Sequence, residues 1–126
     1  MRCKENSPPR VYKISGLASN ISIKDCASIE LDDNEQVTFV TSCGKEYDVT
    51  RKEWGFYATP SINARLRSFS FRSALVVNSI GRLFLMLVED DKEDLFYKYL
   101  NEDSQKLICW LEDAESIKKI ISCFSE

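Results

Sequence analysis

Basic and aromatic side chains are concentrated in residues 51–82 of this 126-residue chain. The segment carries six lysines and arginines and one acidic residue, a net charge of +5, whereas residues 1–50 carry −2 and residues 83–126 carry −6. Guanidinium groups beside flat apolar rings can hold an oxyanion or an acidic protein surface. The segment is therefore the first candidate for a binding site.

A helix start is predicted inside this segment. Thr59 is suited to cap a helix and Pro60 to occupy its first turn, and Ile62, Leu66 and Phe69 then fall on one apolar stripe. The free N–H groups of a first helical turn attract anions. The predicted ligand-binding residues are Trp54, Tyr57, Thr59, Ser61, Asn63, Arg65, Arg67 and Arg72.

Three functions remain open for this segment. In the leading interpretation the protein is a binding or interaction protein, not an enzyme, that holds an anionic small molecule or an acidic partner surface. Alternatively it is a small cofactor-independent enzyme of lyase or isomerase type, with Tyr57 or a carboxylate as the base. A third alternative is a homodimer without a small-molecule ligand, in which basic and acidic surfaces pair across a two-fold axis. Against all three stands the alternative that the aromatic rings are packed and the arginines pair with the chain's own acidic helices.

The composition narrows the chemistry. The chain has no histidine, and its four glycines stand too far apart for a phosphate-binding loop. The acidic run of residues 89–94 lacks the spacing and the glycine of a calcium loop, so it predicts a solvated helix start. We expect neither a cofactor nor a metal, and the net charge of −3 argues against nucleic acid as a partner.

The cysteines predict a reduced, cytoplasmic protein. Their number, five, is odd, and their spacing fits neither a disulfide framework nor a metal knuckle. Cys109 and Cys123 are expected to fill the core, and Cys43 to lie in an exposed turn. The longest uncharged apolar run is far shorter than the roughly 20 residues that cross a bilayer, and no secretory signal is recognised, so no membrane association is expected.

The N-terminal half predicts an arm followed by strands. Residues 1–10 are polar and contain two prolines, so they are expected to form a flexible arm that precedes a single domain, residues 11–126. Residues 27–31, 36–41 and 46–50 have the composition of three strands joined by polar turns. They predict a three-stranded antiparallel meander.

The C-terminal half predicts a hairpin, a helix, a strand and a last helix. Residues 74–77 and 82–88 flank a turn, and the second strand is so apolar that we expect it in the centre of a sheet. A helix should open at Asp90 or Asp91, and the strand 106–111 should then run parallel to the strand before that helix. Two faces are expected to point inward: Leu95, Phe96, Tyr99 and Leu100 in this helix, and Ala114, Ile117, Ile120, Ile121 and Phe124 in a last helix capped by Asp113.

The predicted fold is a single α+β domain. It has a mixed, mainly antiparallel sheet of five to seven strands with about three helices packed on it.

Overall fold

The structure, a computed structural model, describes residues 1–15, 20–58 and 60–125. The strands of these ranges are β1 (Arg2–Ser15), β2 (Asn20–Glu30), β3 (Gln36–Val40), β4 (Glu46–Lys52), β5 (Gly55–Tyr57), β6 (Phe71–Val77), β7 (Leu83–Glu89) and β8 (Lys106–Trp110). The helices are α1 (Arg65–Ser68), α2 (Glu93–Glu102) and α3 (Ala114–Phe124). The described residues therefore form an α+β fold with three helices, as the sequence predicted.

The strands of the described ranges form three sheets. β1 pairs with β2, the second sheet has the order β3-β4-β5, and the third has the order β7-β6-β8. All the pairs are antiparallel. The prediction of one mixed sheet of five to seven strands is not confirmed, because hydrophobic patterns reveal strands but not which strands share hydrogen bonds.

The first sheet differs most from the sequence expectation. Residues 2–10, expected to form an arm without partners, lie in β1 and pair with β2. The register shifts between Glu5 and Arg10, where the two prolines lack the N–H groups that a regular ladder requires. Ion pairs join the strands, among them Arg2 with Glu30 at 2.7 Å. Such pairing relies on backbone hydrogen bonds and charges, which a search for apolar patterns overlooks.

The second sheet contains two of the three strands predicted for the meander. β3 and β4 pair as expected, but β2 pairs with β1, and the third member is the short β5. Gly55, the first residue of β5, has a φ of 148°, a conformation open to glycine and strained for other residues. β5 thus begins three residues after Lys52, the basic residue that ends β4.

The third sheet confirms the predicted hairpin and corrects its place in the sheet. β6 and β7 pair from Phe71 opposite Glu89 to Val77 opposite Leu83. β7 is an edge strand and β6 is the central one, so the expectation of a fully covered β7 was wrong: Leu83 and Leu85 are exposed. Because β6 is antiparallel to both neighbours, β7 and β8 run in the same direction with one strand between them, as predicted.

The hydrophobic core lies between α2 and one face of the third sheet. It consists of Ala74, Val76, Val88, Leu100 and Trp110, with Met86, Phe96 and Leu107 packed against it. α2 begins at Glu93, two to three residues later than predicted, because residues 89–92 form the turn that leaves β7. Leu95 and Tyr99, both predicted to point inward, are exposed.

The last helix begins where the sequence predicted but is not buried. Asp113 precedes the first helical residue, yet none of the residues of α3 is buried and Phe124 is 86% exposed. Cys123, expected in the core, is exposed, whereas Cys109 is half-buried and Cys43 is exposed in its turn. In the part of the chain that the structure describes, no helix has the length and apolar character needed to cross a membrane.

Candidate functional site

The helix start predicted at Thr59 lies elsewhere. α1 begins at Arg65 and ends at Ser68, and Thr59 is outside the described residues. Before the helix the chain turns, and the N–H groups of Ala64 and Leu66 both bond to the Ser61 carbonyl. A helix of four residues aligns too few peptide dipoles to hold an anion at its end. The proposed role of a helix N-terminus is therefore dropped.

Six of the remaining seven predicted site residues fall into two clefts. One, which we call the Arg65 cleft, has a volume of about 300 Å³ and is lined by Gln36, Asp48, Thr50, Tyr57, Pro60, Ser61 and Arg65. The other, the Arg72 cleft, has a volume of about 670 Å³ and is lined by Asn63, Arg67, Arg72, Asp90, Glu93, Glu112, Asp113 and Ala114. The predicted ligand-binding residues therefore do not form a single site.

Trp54 belongs to neither cleft. It lies in the turn between β4 and β5, 73% exposed, beside a shallow depression that also involves Asn34 and Lys52. Lys52 donates a hydrogen bond of 2.8 Å to the Asn34 side chain. Of the two aromatic residues predicted for the binding site, Tyr57 therefore lies beside an arginine and Trp54 does not.

The Arg72 cleft is organised around a guanidinium that the protein's own carboxylates occupy. Arg72 Nη1 donates to Glu93 at 2.9 Å, and Nη2 donates to Asp113 at 2.9 Å and to Glu112 at 3.3 Å. The guanidinium carbon of Arg72 lies 4.0 Å from the centroid of the Trp110 ring, so the guanidinium stacks on that ring. Burial lowers the pKa of Arg72, but the hydrogen bonds and charges of Glu93 and Glu112 outweigh it, so the pKa is raised overall. The Arg72 side chain joins β6 to the starts of α2 and α3.

Arg67 is also engaged within the chain. Its Nη1 donates to the Phe71 carbonyl at 3.2 Å and lies 3.7 Å from an Asp90 carboxylate oxygen. Four carboxylates and two guanidinium groups line the Arg72 cleft, an excess of two negative charges. This cleft is therefore unsuited to an anion, and the alternative of arginines paired with the acidic C-terminal third describes Arg67 and Arg72.

Arg65 is held differently, by one buried carboxylate. Its Nε and Nη2 donate to the same oxygen of Asp48, at 3.1 and 2.6 Å, and Thr38 donates to the other Asp48 oxygen at 2.8 Å. The guanidinium also lies 5.0 Å from the centroid of the Phe69 ring. The Asp48 side chain is 7% exposed, whereas that of Arg65 is 53% exposed. One edge and one face of the guanidinium are fixed, and the rest faces the cleft and solvent.

The buried carboxylate is ionised and weakly basic. The hydrogen bond from Thr38 lowers the pKa of Asp48; burial raises it, and the hydrogen bonds and charge of Arg65 lower it further. The pKa lies below its ordinary value overall. Asp48 is therefore an anchor for Arg65 and a poor base at neutral pH.

The Arg65 cleft presents more donors than acceptors. Within the described residues, no hydrogen bond is made by Nη1 of Arg65 or by the Tyr57 hydroxyl. Ser61 Oγ accepts from the Arg65 backbone N–H at 2.9 Å, which leaves its own O–H to donate. Gln36 Oε1 accepts from Thr50 at 3.0 Å, which leaves the Gln36 amide N–H groups. The surplus of donors suits a negatively charged or strongly accepting group.

Strand register brings these side chains together. Thr50 lies opposite Gln36 on one side and opposite Tyr57 on the other, so the three form a row across β3, β4 and β5. Tyr47 donates a hydrogen bond to the Ala58 carbonyl and so holds the chain where it leaves β5. The row faces the turn that leads into α1.

Sequence reasoning missed part of this cleft. It did not select Gln36, Asp48 or Thr50 as ligand-binding residues. Asp48 and Thr50 are two residues apart and so share one face of β4. That spacing was the only signal in the sequence, and it could not show that the face would meet Arg65.

Comparisons with protein-family models, with curated protein sequences and with solved structures found no match. The function is therefore inferred from the geometry and charge of the clefts alone.

Proposed function

We propose that the protein binds a small molecule through an oxyanion, a carboxylate or phosphate group, in the Arg65 cleft. The observation that carries the proposal is the Arg65 guanidinium, clamped on one edge by the buried Asp48 and open toward the cleft on the other. This retains the leading interpretation of the sequence and restricts it to one arginine.

The orientation of Arg65 suits bidentate recognition. Nε and one N–H of Nη2 are used by Asp48, which leaves the second N–H of Nη2 and both N–H groups of Nη1. These form the end of the guanidinium fork, whose spacing matches two oxygens of a carboxylate or phosphate. Because Asp48 and Phe69 already fix the side chain, binding loses little side-chain entropy.

The volume and the charge of the Arg65 cleft limit which ligands it can hold. A volume of about 300 Å³ is at the small end for ligand pockets. Arg65 and Asp48 neutralise each other, so recognition depends on directed hydrogen bonds more than on net charge. Two charge-assisted hydrogen bonds at about 2 kcal/mol each correspond to a Kd of about 1 mM for a bare anion, and further contacts of a larger ligand would tighten it.

The enzyme alternative required a concave site with Tyr57 and an arginine, and the Arg65 cleft contains both. It also required Tyr57 or a carboxylate as a base. The carboxylate that lines this cleft has a lowered pKa and is bonded to Arg65 and Thr38. Within the described residues, no side chain is hydrogen-bonded to the Tyr57 hydroxyl to activate it. We therefore favour binding over proton transfer.

The test is titration with inorganic phosphate and with malonate at constant ionic strength, with chloride as the reference, followed by calorimetry and by the thermal unfolding midpoint. We expect wild type to bind both probes, and Arg65→Lys to lose at least tenfold in affinity because lysine keeps the charge but not the fork. Tyr57→Phe should lose about threefold to tenfold through one lost donor.

The matched control is Arg67→Lys, the same substitution in the same helix but outside the Arg65 cleft. Its affinity should equal that of wild type. Equal responses of Arg65→Lys and wild type would refute the proposal, as would the absence of any binding to wild type at concentrations well above 1 mM.

A further inference from the structure

The last helix carries an apolar stripe that its own chain leaves uncovered. Ile117, Ile120, Ile121 and Phe124, spaced three and four residues apart, lie on one face of α3, and we call them the α3 stripe. None of them is buried, and Ile121 and Phe124 are 61% and 86% exposed. A short amphipathic helix is stabilised mainly by burying such a face. The α3 stripe therefore lacks the contact that its sequence pattern implies.

The third sheet has a second face that is covered only at one end: Phe71 and Ser73 on it are buried, whereas the residues toward the β6–β7 turn are not. Its core face, with Ala74 and Val76, is covered by α2, and the alternate residues of the strands point to the other side. On that side Leu75 lies opposite Leu85, and Val77 lies opposite Leu83. We call these four residues the open sheet face. Leu83 and Leu85 are exposed, and Leu75 and Val77 are half-buried.

The two surfaces together supply about as much apolar area as one side of a stable interface contains. A large apolar side chain buries about 100–200 Å², so the exposed parts of these eight residues amount to about 500 Å² per chain. A stable interface buries about 800 Å² per partner, of which about 60% is apolar.

We infer that the occupant of both surfaces is a second copy of this chain, with the α3 stripe of each copy packed on the open sheet face of the other. Each chain has an exposed apolar helix stripe and an exposed apolar patch on its third sheet. A two-fold axis lets each copy cover the stripe and the patch of the other. The contact is apolar and does not use the opposite charges of residues 51–82 and 83–126. It stands independently of anion binding in the Arg65 cleft.

The first experiment measures the mass of the full chain by sedimentation equilibrium over a concentration series. Wild type is expected to be a dimer at micromolar concentration, and Ile121→Lys and Leu85→Lys should each raise the dissociation constant at least tenfold. The controls are Leu95→Lys on α2 and Phe39→Lys on β3, whose side chains are 65% and 52% exposed and lie outside both surfaces. Both controls should remain dimeric. A wild-type monomer at all concentrations, or equal weakening by variants and controls, would overturn the inference.

The second experiment mixes the two weakened variants. In the mixed dimer one contact joins the intact α3 of Leu85→Lys to the intact sheet face of Ile121→Lys, whereas both changes fall in the other contact. The mixture should therefore form dimers at concentrations where each variant alone is a monomer. If mixing restores nothing, α3 does not pack on the partner's sheet and the exchange is wrong. Far-ultraviolet circular dichroism of each variant verifies that the fold is retained.

Discussion

Arg65 and Asp48, 17 residues apart in the chain, are joined by two hydrogen bonds from one guanidinium edge to one carboxylate oxygen. The same basic segment places Arg72 among three carboxylates and Arg67 beside Asp90. The +5 segment is thus not a uniform positive surface. The three arginines differ in which of their N–H groups are already hydrogen-bonded to other residues of the chain.

Replacing Asp48 should weaken both the fold and the site. Asp48→Asn removes the negative charge of a buried carboxylate that accepts hydrogen bonds from Arg65 and Thr38. We therefore expect a loss of about 2 kcal/mol in the free energy of unfolding. Urea denaturation measures this loss. Asp33→Asn, an isosteric change at an exposed turn, should cost nothing measurable. An unchanged midpoint for Asp48→Asn would show that the pair does not stabilise the protein.

Stability should depend on pH through Asp48. Its pKa is lower in the folded protein than the ordinary value of 3.8, because hydrogen bonds from Thr38 and Arg65 favour the ionised form. The resulting stabilisation is complete above the unfolded-state pKa and is lost as the pH falls through the folded-state pKa. The difference in unfolding free energy between wild type and Asp48→Asn should therefore shrink below about pH 4. A difference that stays constant from about pH 6 to about pH 3 would contradict the assigned pKa direction.

Replacing Arg72 should be the most destabilising change among the arginines of the segment. Arg72→Ala leaves Glu112, whose side chain is 4% exposed, with an uncompensated charge, and removes the contact with Trp110. We expect a loss of about 3 kcal/mol in unfolding free energy. Arg82→Ala is the control, since Arg82 is exposed and forms no ion pair within residues 1–15, 20–58 and 60–125. Chemical denaturation of both variants would refute the prediction if their losses were equal.

The two tryptophans should report different environments. Trp54 is 73% exposed and Trp110 is 8% exposed, so Trp54→Phe should shift the fluorescence maximum to shorter wavelength and remove most of the quenching by iodide. Because Trp54 lies outside the Arg65 cleft, the same variant should bind phosphate as wild type does. Reduced phosphate binding by Trp54→Phe would mean that the ligand contacts the β4–β5 turn instead.

Local patterns in the sequence predicted several elements of this fold. The β6–β7 hairpin, the parallel direction of β7 and β8, and the start of α3 after Asp113 all follow from apolar periodicity, turn residues and element order. Each of these signals spans a few residues or one connection. The α+β class and the number of helices were predicted on the same basis.

Pairing over long sequence distances could not be predicted in this way. The pairing of residues 2–10 with β2 was missed because these residues are polar and contain two prolines. The edge position of β7 was missed because an apolar strand has the same composition in the centre and at the edge of a sheet. Arg65, Arg67 and Arg72 are chemically identical in the sequence. Only the folded chain assigns carboxylates to each of them.

By itself, the sequence determined most helices and strands and the segregation of charge, because both depend on residues that are close together in the chain. The tertiary structure alone decided that Arg65 keeps donors facing a cleft while Arg72 spends its donors on Glu93, Glu112 and Asp113. The reason is physical: a guanidinium has a fixed number of N–H groups, and carboxylates up to 41 residues away compete for them.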